Sequence, residues 1–266
     1  MNEDFILRKY PRTPHLSGSR LQPGDEDLSQ IPFKEILGKH IVVEEKIDGA
    51  NAAISFSGEG KLLLQSRGHY LTGGYRERHF NLMKQWANVH QKAFYEVLGS
   101  RYIMYGEWMY AKHSIFYDAL PHYFMEFDIY DRENGIFLDT PSRRGLTETL
   151  PVCSVPVIGE GIYRDQDGIL SLIGDSAFIT EHHMVHLKEA AASAGVDADR
   201  VCRETEPSRM MEGLYIKVEE GGRITARMKF VRASFLQCIL ESETHWLDRP
   251  VIPNRLAGEV SGMFVS

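Results

Sequence analysis

The stretch IVVEEKIDG, residues 41–49, predicts the beginning of a sheet. Its first six residues are rich in β-branched and aliphatic side chains, which favour a strand. Gly49 permits a sharp turn directly after that strand, so the strand is expected to project Lys46 at its end. The pattern Lys-x-Asp-Gly arises by chance in many proteins, and its meaning depends on the sequence around it.

More strands are predicted on the C-terminal side of this stretch. Residues 52–56 and 61–67 are separated by Ser-Gly-Glu-Gly, so we expect them to form a meander with the first strand. Two further strands are predicted at residues 102–107 and 123–130.

Helices are predicted between and after these strands. Within residues 76–98, apolar side chains recur at three- and four-residue steps, which predicts one amphipathic helix that covers a sheet. Thr140 is the expected N-cap of a short helix, with Pro141 in its first turn. Another helix is predicted at residues 182–194, closed by Gly195, and the last at residues 233–240.

Composition limits the classes of protein to which the chain could belong. With 266 residues and a net charge of -7, it fits one large domain or two small ones, and it does not resemble proteins that coat nucleic acid through overall positive charge. Its three cysteines lie far apart, which favours a reducing compartment. The charged N-terminus lacks the apolar core of a signal peptide, and no apolar run is long enough to span a bilayer, so a cytoplasmic location without a membrane partner is expected.

Several short motifs follow Lys46 in a fixed order. They are Ser66-Arg67-Gly68, Tyr105-Gly106-Glu107, residues 124–128, residues 212–217 (EGLYIK) and Arg227-Met228-Lys229. In this succession and spacing, the chain resembles the covalent nucleotidyltransferases, the superfamily of polynucleotide ligases and RNA capping enzymes. The stretches GEWMYAKHSI (residues 106–115) and FDIYD (residues 127–131), with Lys9-Tyr10-Pro11 and His15-Leu16, are similar to the RNA ligases that seal nicks.

The resemblance implies an α+β nucleotidyltransferase fold, in which helices flank antiparallel sheets. Residues 1–232 would form the adenylation domain with its lead-in segment. Residues 233–266 would form a short helical tail, because they are too few for the five-stranded oligonucleotide-binding barrel that many ligases carry. RNA affinity would then depend on a partner protein.

The resemblance also implies that Lys46 is a nucleophile that takes AMP from ATP. An amine attacks phosphorus only when it is neutral, so we expect nearby cations to lower the pKa of Lys46. Lys217 and Lys229 are the expected cations. They lie in a predicted hairpin of residues 214–218 and 224–230. Because side chains alternate along a strand, Lys217 should share a face with Tyr215, and Lys229 with Arg227.

Further residues are expected to bind the nucleotide, the metal and the RNA. Glu107 and Glu212 are candidates for holding Mg2+ (or Mn2+) through water, or for binding the ribose hydroxyls. Arg67 has the planar fork suited to a phosphate of the nucleotide or to the 5'-phosphate of RNA. Phe127 is expected to stack on adenine, with Tyr215 or Ile216 on its other side. The resemblance assigns Glu45, Ile47 and Asn51 to the same site.

One position departs from the family pattern. The last motif commonly has two lysines around one residue, whereas Arg227 takes the place of the first. Arginine keeps the positive charge and cannot act as a nucleophile, so phosphate binding is expected to persist. His182 and His186 lie one helical turn apart but lack a third ligand at a recognised spacing, so we expect no metal there.

The sequence therefore predicts an ATP-dependent RNA ligase that adenylates Lys46, transfers AMP to an RNA 5'-phosphate and joins that end to a 3'-hydroxyl, as in RNA repair. The same motifs are also compatible with two alternative functions. One is a DNA ligase or a GTP-using capping-type transferase. The other is a non-catalytic nucleotide-binding or RNA-binding subunit.

Overall fold

Two sheets and the helices around them make up the fold of the computed structural model, which describes residues 6–19, 21, 24–25, 27–235 and 251–265. The strands are β1 His15–Leu16, β2 Gln30–Ile31, β3 Ile41–Lys46, β4 Ala50–Phe56, β5 Leu62–Ser66, β6 Tyr102–Trp108, β7 Phe124–Asp131, β8 Ile136–Phe137, β9 Cys153–Ser154, β10 Val157–Gly161, β11 Gly213–Glu220 and β12 Arg223–Val231. The α-helices are α1 Asn81–Val89, α2 Gln91–Leu98, α3 Thr140–Thr147, α4 Gln166–Leu170, α5 His183–Ser193 and α6 Ala198–Arg203. Segments of 3-10 helix lie at Phe33–Glu35, Tyr75–Phe80 and Val260–Phe264. The predicted α+β class with antiparallel sheets is confirmed.

The first sheet has the strand order β10-β3-β11-β12-β1-β2 among the described residues. Strand β3 lies between β10 and β11 and is antiparallel to both. The predicted hairpin is confirmed as β11 and β12, which turn at Gly221 and Gly222, both with positive φ. Positive φ favours glycine, which explains the paired glycines at this turn.

The second sheet has the order β5-β4-β6-β7-β8, with β9 beside β7. Helices α1 and α2 cover one of its faces and bury Trp86 and Phe94 against Trp108 and Phe124. This packing removes the largest apolar side chains from water and leaves the opposite face of the sheet for the site.

The expected meander of the first three strands was wrong. Strand β3 belongs to the first sheet, whereas β4 and β5 belong to the second. The chain crosses between the sheets at Asp48 and Gly49, where a Cβ on Gly49 would lie 2.6 Å from the sulfur of Met109. The glycine therefore permits a close approach of two backbones, and strand periodicity alone does not specify which sheet the next strand joins.

The single helix predicted for residues 76–98 was also wrong. The segment begins as a 3-10 helix and then forms α1 and α2, which are separated at His90. The His90 ring is buried and its Nε2 lies 2.7 Å from the carbonyl oxygen of Met263. This tertiary contact with a distant part of the chain has no counterpart in the helical periodicity.

The other predicted helices are found with small changes at their ends. Helix α3 contains Pro141 in its first turn, as predicted, but its N-cap is Asp139 rather than Thr140, because the Asp139 side chain accepts a hydrogen bond from the amide of Ser142. Helix α5 covers nearly all of residues 182–194. The predicted helix at residues 233–240 begins at Ala233, and its part beyond residue 235 lies outside the described residues.

The described part of the tail packs against the domain. Residues 251–257 run along the loop that follows β6 and exchange backbone hydrogen bonds with Tyr110, Lys112, Tyr117 and Leu120. Cys153 and Cys202 are free thiols, and Cys238 lies outside the described residues. In the segments that the structure describes, no helix is long and apolar enough to cross a membrane.

Candidate active site

One face of the first sheet carries the four cationic residues Lys46, Lys217, Arg227 and Lys229 that were predicted for the site. Lys46 lies directly opposite Gly213 on β11, and Glu44 lies opposite Tyr215. Residues directly opposite in a sheet share a face. Across the next pair of strands, Tyr215 is opposite Lys229 and Lys217 is opposite Arg227. The predicted sharing of one hairpin face by these residues is confirmed.

Gly213 is required at its place beside Lys46. A Cβ at this position would lie 1.9 Å from the carbonyl oxygen of Phe230, a backbone atom that cannot rotate away. The glycine lets β11 and β12 approach closely at the end of β3, where Lys46 projects.

The Lys46 ammonium group is ion-paired. Its Nζ donates a 2.6 Å hydrogen bond to Oε2 of Glu212, whose side chain is buried, whereas the Lys46 side chain keeps 21% of its exposure. Burial acts to lower the pKa of Lys46, but the charge and hydrogen bond of Glu212, with Glu107 and Asp48, outweigh it and raise that pKa. The expectation that neighbouring cations lower the pKa was wrong for this arrangement, because anions dominate the surroundings of Nζ.

Glu107 completes a group of carboxylates around Lys46. It lies on β6 opposite Asn51. Burial, with the negative charges of Glu212 and Asp48, raises the pKa of Glu107 to about 8, against the opposing effect of Lys46. Carboxylates that repel one another in this way fit a divalent cation. In the part of the chain that the structure describes, no three His, Cys, Asp or Glu side chains are arranged to hold a metal ion. Mg2+ usually takes few direct protein ligands and keeps several waters.

Lys217 does not lie beside Lys46. Its fully buried Nζ lies 2.8 Å from Glu44 and 3.0 Å from Asp128, and it donates a 2.5 Å hydrogen bond to the carbonyl oxygen of Phe127. The ammonium group therefore makes one hydrogen bond and two ion pairs, and among the described residues neither Oε2 of Glu44 nor Oδ1 of Asp128 has a hydrogen-bond partner. The structure places Lys217 as a bridge between the two sheets, since Glu44 lies on β3 and Asp128 on β7.

A second buried bridge joins the same sheets. Arg143 of α3 is completely buried and donates to Glu44 at 2.5 Å and to Glu126 at 2.9 Å. Burial alone would raise the pKa of Asp128, but Lys217 and Arg227 overcome it and lower that pKa. No sequence motif indicated Arg143. Glu44 follows three apolar residues in its strand, and an acidic residue at such a position usually has a buried partner.

Lys229 does lie near Lys46. Burial lowers the pKa of Lys229, and the charge of Lys46 acts in the same direction, while a hydrogen bond to Asp25 opposes them. Oδ2 of Asp25 also lies 3.1 Å from Nε2 of His15. The lead-in segment thus supplies an acceptor for this lysine, which sequence reasoning missed because the pairing spans about two hundred residues.

Arg227 is held by packing as well as by charge. Its guanidinium carbon lies 3.7 Å from the centre of the Phe137 ring, and Nη1 lies 3.6 Å from Asp128. The delocalised cation over an aromatic face is an arrangement that arginine adopts more readily than lysine.

Aromatic side chains form a cluster between the sheets. Phe127 is half-buried, with its ring centre 5.1 Å from that of Tyr10 and 6.2 Å from that of Tyr215. The Tyr10 hydroxyl is hydrogen-bonded to both Asp128 and Tyr215. Of the two residues predicted to face Phe127, only Tyr215 does so, because Ile216 points to the opposite face and packs in the core. Tyr10 was noted in the sequence only as part of a family-like motif.

The remaining predicted residues occupy different surroundings. Arg67 is exposed and follows β5 at the edge of the second sheet. Ile47 is buried in the core of that sheet. Glu45 alternates to the face away from Lys46, where burial, opposed by a hydrogen bond with Ser176, raises its pKa to about 7. The Glu45 side chain is therefore not brought together with the site, although its backbone adjoins Lys46.

Two sheets that face each other across a lysine and its carboxylates define a nucleotidyltransferase-type fold. Residues 39–231 match the family model described as RNA ligase. This match covers well over half of the chain, and the chain belongs to the RNA ligase family.

Solved structures agree with this fold. A mutant of the Naegleria gruberi RNA ligase with ATP and Mn aligns with a TM-score of 0.54 at 17% identity, covering 87% of this chain and 58% of that one. Another mutant of that ligase, with AMP and Mn, aligns with a TM-score of 0.53 at 16% identity, covering 87% and 57%. The chain thus spans less than two thirds of the length of these ligases, and at this identity the likeness shows the fold alone. A comparison with curated proteins found no match.

Proposed function

We propose that the protein is an ATP-dependent RNA ligase that stores AMP on Lys46. The observation that carries this proposal is the placement of Lys46 at the end of β3, against Glu212 and near Glu107, Asp48 and Lys229, in a chain of the RNA ligase family. A lysine amine among carboxylates and a second lysine provides a nucleophile, a proton acceptor and a phosphate-binding cation in one place.

In the first step, Nζ of Lys46 attacks the α-phosphorus of ATP. A nitrogen–phosphorus bond forms, the bond from that phosphorus to the bridging oxygen breaks, and pyrophosphate leaves with the electron pair. The ammonium group first loses a proton, for which Oε2 of Glu212 at 2.6 Å is the acceptor in place. Lys229 is proposed to bind the phosphates, in exchange for its contact with Asp25.

In the second step, an oxygen of an RNA 5'-phosphate attacks the phosphorus of the lysyl-AMP. The new diphosphate bond forms as the bond to Nζ breaks, and Lys46 regains a proton. In the third step, a 3'-hydroxyl attacks the RNA phosphorus, a phosphodiester forms, and AMP leaves. Exposed Arg67 is proposed to bind the 5'-phosphate, because its guanidinium has the geometry of a phosphate receptor.

Aromatic contacts and carboxylates complete the proposed substrate site. Adenine is proposed to pack against Phe127 and Tyr215, in the cluster that Tyr10 shares. Asn51 adjoins Glu107 on the neighbouring strand and is proposed to help in sealing. Glu107 and Glu212 would hold Mg2+ or Mn2+ through water, and that ion would supply positive charge to the departing pyrophosphate. Two of the Naegleria structures contain Mn together with ATP or AMP.

The physiological setting follows from this chemistry as part of the same proposal. An enzyme that joins 5'-phosphate and 3'-hydroxyl ends of RNA would act in RNA repair in the cytoplasm. A partner protein that binds RNA or prepares its ends would supply the affinity that a domain with net charge -7 lacks.

The proposal is tested by incubating the protein with ATP labelled at the α-phosphate and with Mg2+, then measuring label on the denatured protein. We expect label on the wild type and none on Lys46→Ala. Lys92→Ala, an exposed lysine on α2, is the matched control and should keep the label. Label that survives Lys46→Ala contradicts the proposal.

Competing functions give different results in the same assay. Label from GTP rather than ATP indicates a capping-type transferase, and sealing of DNA nicks in preference to RNA nicks indicates a DNA ligase. A protein that binds ATP without acquiring label is a nucleotide-binding subunit. The ligase is supported by label from ATP that can be chased into a sealed RNA strand.

A further inference from the structure

Asn254 lies outside residues 39–231, to which the family match extends, yet it is buried against the loop that follows β6. Its Nδ2 donates a 2.6 Å hydrogen bond to the carbonyl oxygen of Met109, and its Oδ1 accepts a 3.0 Å hydrogen bond from the amide of Tyr117. Its backbone amide donates to Tyr110, and its carbonyl oxygen accepts from the hydroxyl of Tyr123. One side chain therefore holds both ends of the segment from residue 109 to residue 117.

That segment in turn holds Asp48. The amides of Ser114 and Ile115 donate to Oδ2 of Asp48 at 2.7 Å and 3.0 Å. The backbone amide of Asp48 donates a 2.9 Å hydrogen bond to the hydroxyl of Tyr117. Both the side chain and the backbone of Asp48 are thus held by residues of the segment whose two ends Asn254 contacts.

Met109, the other residue that the Asn254 side chain contacts, also packs against Gly49, which follows Asp48. Gly49 is packed so closely against Met109 that a Cβ would lie 2.6 Å from its sulfur. Asp48 and Gly49 lie in the crossing from β3 to β4 and are separated from Lys46 by Ile47 alone. A shift of the loop would therefore move the backbone that carries the Lys46 side chain.

We propose that Asn254 is a positioning residue for the nucleophile, acting through the loop of residues 109–117 and the Asp48–Gly49 turn. This inference rests on the proposed function of Lys46. In-line attack depends on holding nitrogen and phosphorus within a narrow range, so an error of about 1 Å lowers the rate about a hundredfold. Adenylation would thereby depend on a residue of the tail, which lies outside the residues of the family match.

Hydrogen exchange tests the structural link without any enzymatic activity. Asn254→Asp keeps the acceptor for Tyr117 but replaces the donor to Met109 by an oxygen that repels its carbonyl. Tyr117→Phe removes only the hydroxyl that accepts from Asp48. We expect amide exchange at residue 48 to be at least about tenfold faster in both variants. In Asn254→Asp the amides of Ser114 and Ile115 should also exchange faster, with helix α1 unchanged.

The kinetic test separates positioning from nucleotide binding. At saturating ATP, we expect Asn254→Asp to form lysyl-AMP at least about tenfold more slowly than the wild type, with little change in the ATP concentration for half-maximal rate. Combining it with Tyr117→Phe should slow the reaction by less than the product of the two single effects, because both act through Asp48. Arg255→Ala is the matched control, because the Arg255 side chain, next to Asn254 in the chain, makes a surface ion pair with Glu189. The Arg255→Ala variant should keep the wild-type rate.

The outcomes of the two tests are distinguishable. Wild-type protein that acquires no label contradicts the proposed function, while the exchange measurement still decides whether Asn254 holds Asp48. Labelled wild type with unchanged adenylation in a folded Asn254→Asp overturns the inference and leaves the proposed function standing. Unchanged exchange at residue 48 in Asn254→Asp also overturns it.

Discussion

Nζ of Lys46 and Oε2 of Glu212 are 2.6 Å apart, so the proposed nucleophile is held as an ammonium ion by a buried carboxylate. The pair positions the amine and at the same time raises the pH at which it becomes neutral. Attack on ATP therefore requires that Lys46 first lose this proton. Glu212 sets how readily it does so, because its charge and hydrogen bond raise the pKa of Lys46.

Glu212→Gln should shift the pH dependence of adenylation to lower pH. The negative charge of Glu212 raises the pKa of Lys46, and removing it lowers that pKa, so the neutral amine appears at a lower pH. We expect the midpoint of the rate–pH profile to fall by about one pH unit or more. Single-turnover labelling between about pH 8 and pH 12 measures it, because the Lys46 pKa is raised above the usual lysine value of about 10.4.

The plateau rate of this variant should also fall, because Glu212 is a proposed proton acceptor and metal-binding group. Glu189→Gln, which alters an exposed carboxylate far from Lys46 in the chain, serves as the control. A midpoint that stays in place or rises in Glu212→Gln contradicts this account of the pair.

Glu45→Gln should stabilise the protein at alkaline pH. The pKa of Glu45 is raised from its usual value to about 7 by burial, so the folded state binds the proton more tightly than the unfolded state. The resulting stability is complete below the unfolded pKa of about 4.5 and is lost as the pH rises through 7. Glutamine resembles the protonated acid and avoids this loss.

Urea unfolding at pH 5 and pH 8 measures the effect of Glu45→Gln. We expect the variant to exceed the free energy of unfolding of the wild type by less than about 1 kcal/mol at pH 5 and by about 2–3 kcal/mol at pH 8. Equal differences at the two pH values would show that the Glu45 carboxyl is not held neutral by its surroundings.

Arg143→Met should destabilise the fold strongly. It leaves the buried carboxylates of Glu44 and Glu126 without the cation that joins them. Breaking a buried ion pair from one side costs about 3–5 kcal/mol. Chemical denaturation at pH 7 measures the loss, and Arg144→Met, an exposed neighbour in α3, should change stability by less than about 0.5 kcal/mol.

A second substitution gives the ion-pair interpretation of Arg143 a specific check. Glu44 keeps its ion pair with Lys217 in Arg143→Met, whereas Glu126 loses its cation. Adding Glu126→Gln removes that unpaired charge, so the double variant should be more stable than Arg143→Met alone. A double variant that is less stable would mean that packing, rather than uncompensated charge, dominates the effect.

Arg227→Lys restores the two lysines that are common in the last motif of the family. We expect it to lower stability by about 1 kcal/mol, because a lysine ammonium does not stack on Phe137 as the guanidinium does. The charge beside Asp128 is retained, so label on Lys46 should persist. Thermal unfolding and ATP labelling measure the two effects, and complete loss of label would show that the guanidinium itself takes part in adenylation.

Local signals in the sequence were sufficient for the hairpin and for α3. The alternation of residues 214–218 and 224–230, with two glycines between, specifies β11 and β12 because adjacent strands and their turn are encoded within one short segment. The same reasoning correctly put Tyr215, Lys217, Arg227 and Lys229 on one face, since side chains alternate along a strand whatever the rest of the fold does.

Long-range partners could not be predicted in this way. Lys217 was expected to act on Lys46, but its partner Asp128 belongs to the other sheet, and periodicity carries no information on how two sheets stack. The same holds for Asp25 beside Lys229 and for Asn254 beside Met109. The ordered motifs predicted the candidate residues, whereas tertiary packing determined which of them touch.

The buried charges between the sheets have a mechanical consequence. Lys217 and Arg143 each form ion pairs with carboxylates of both sheets. These charges are buried, where separating opposite charges is costly. The two sheets are therefore fixed against each other at these ion pairs. Tyr10 and Asp25 of the lead-in segment, by contrast, contact Asp128, Tyr215 and Lys229 through hydrogen bonds, which a polar substrate can replace.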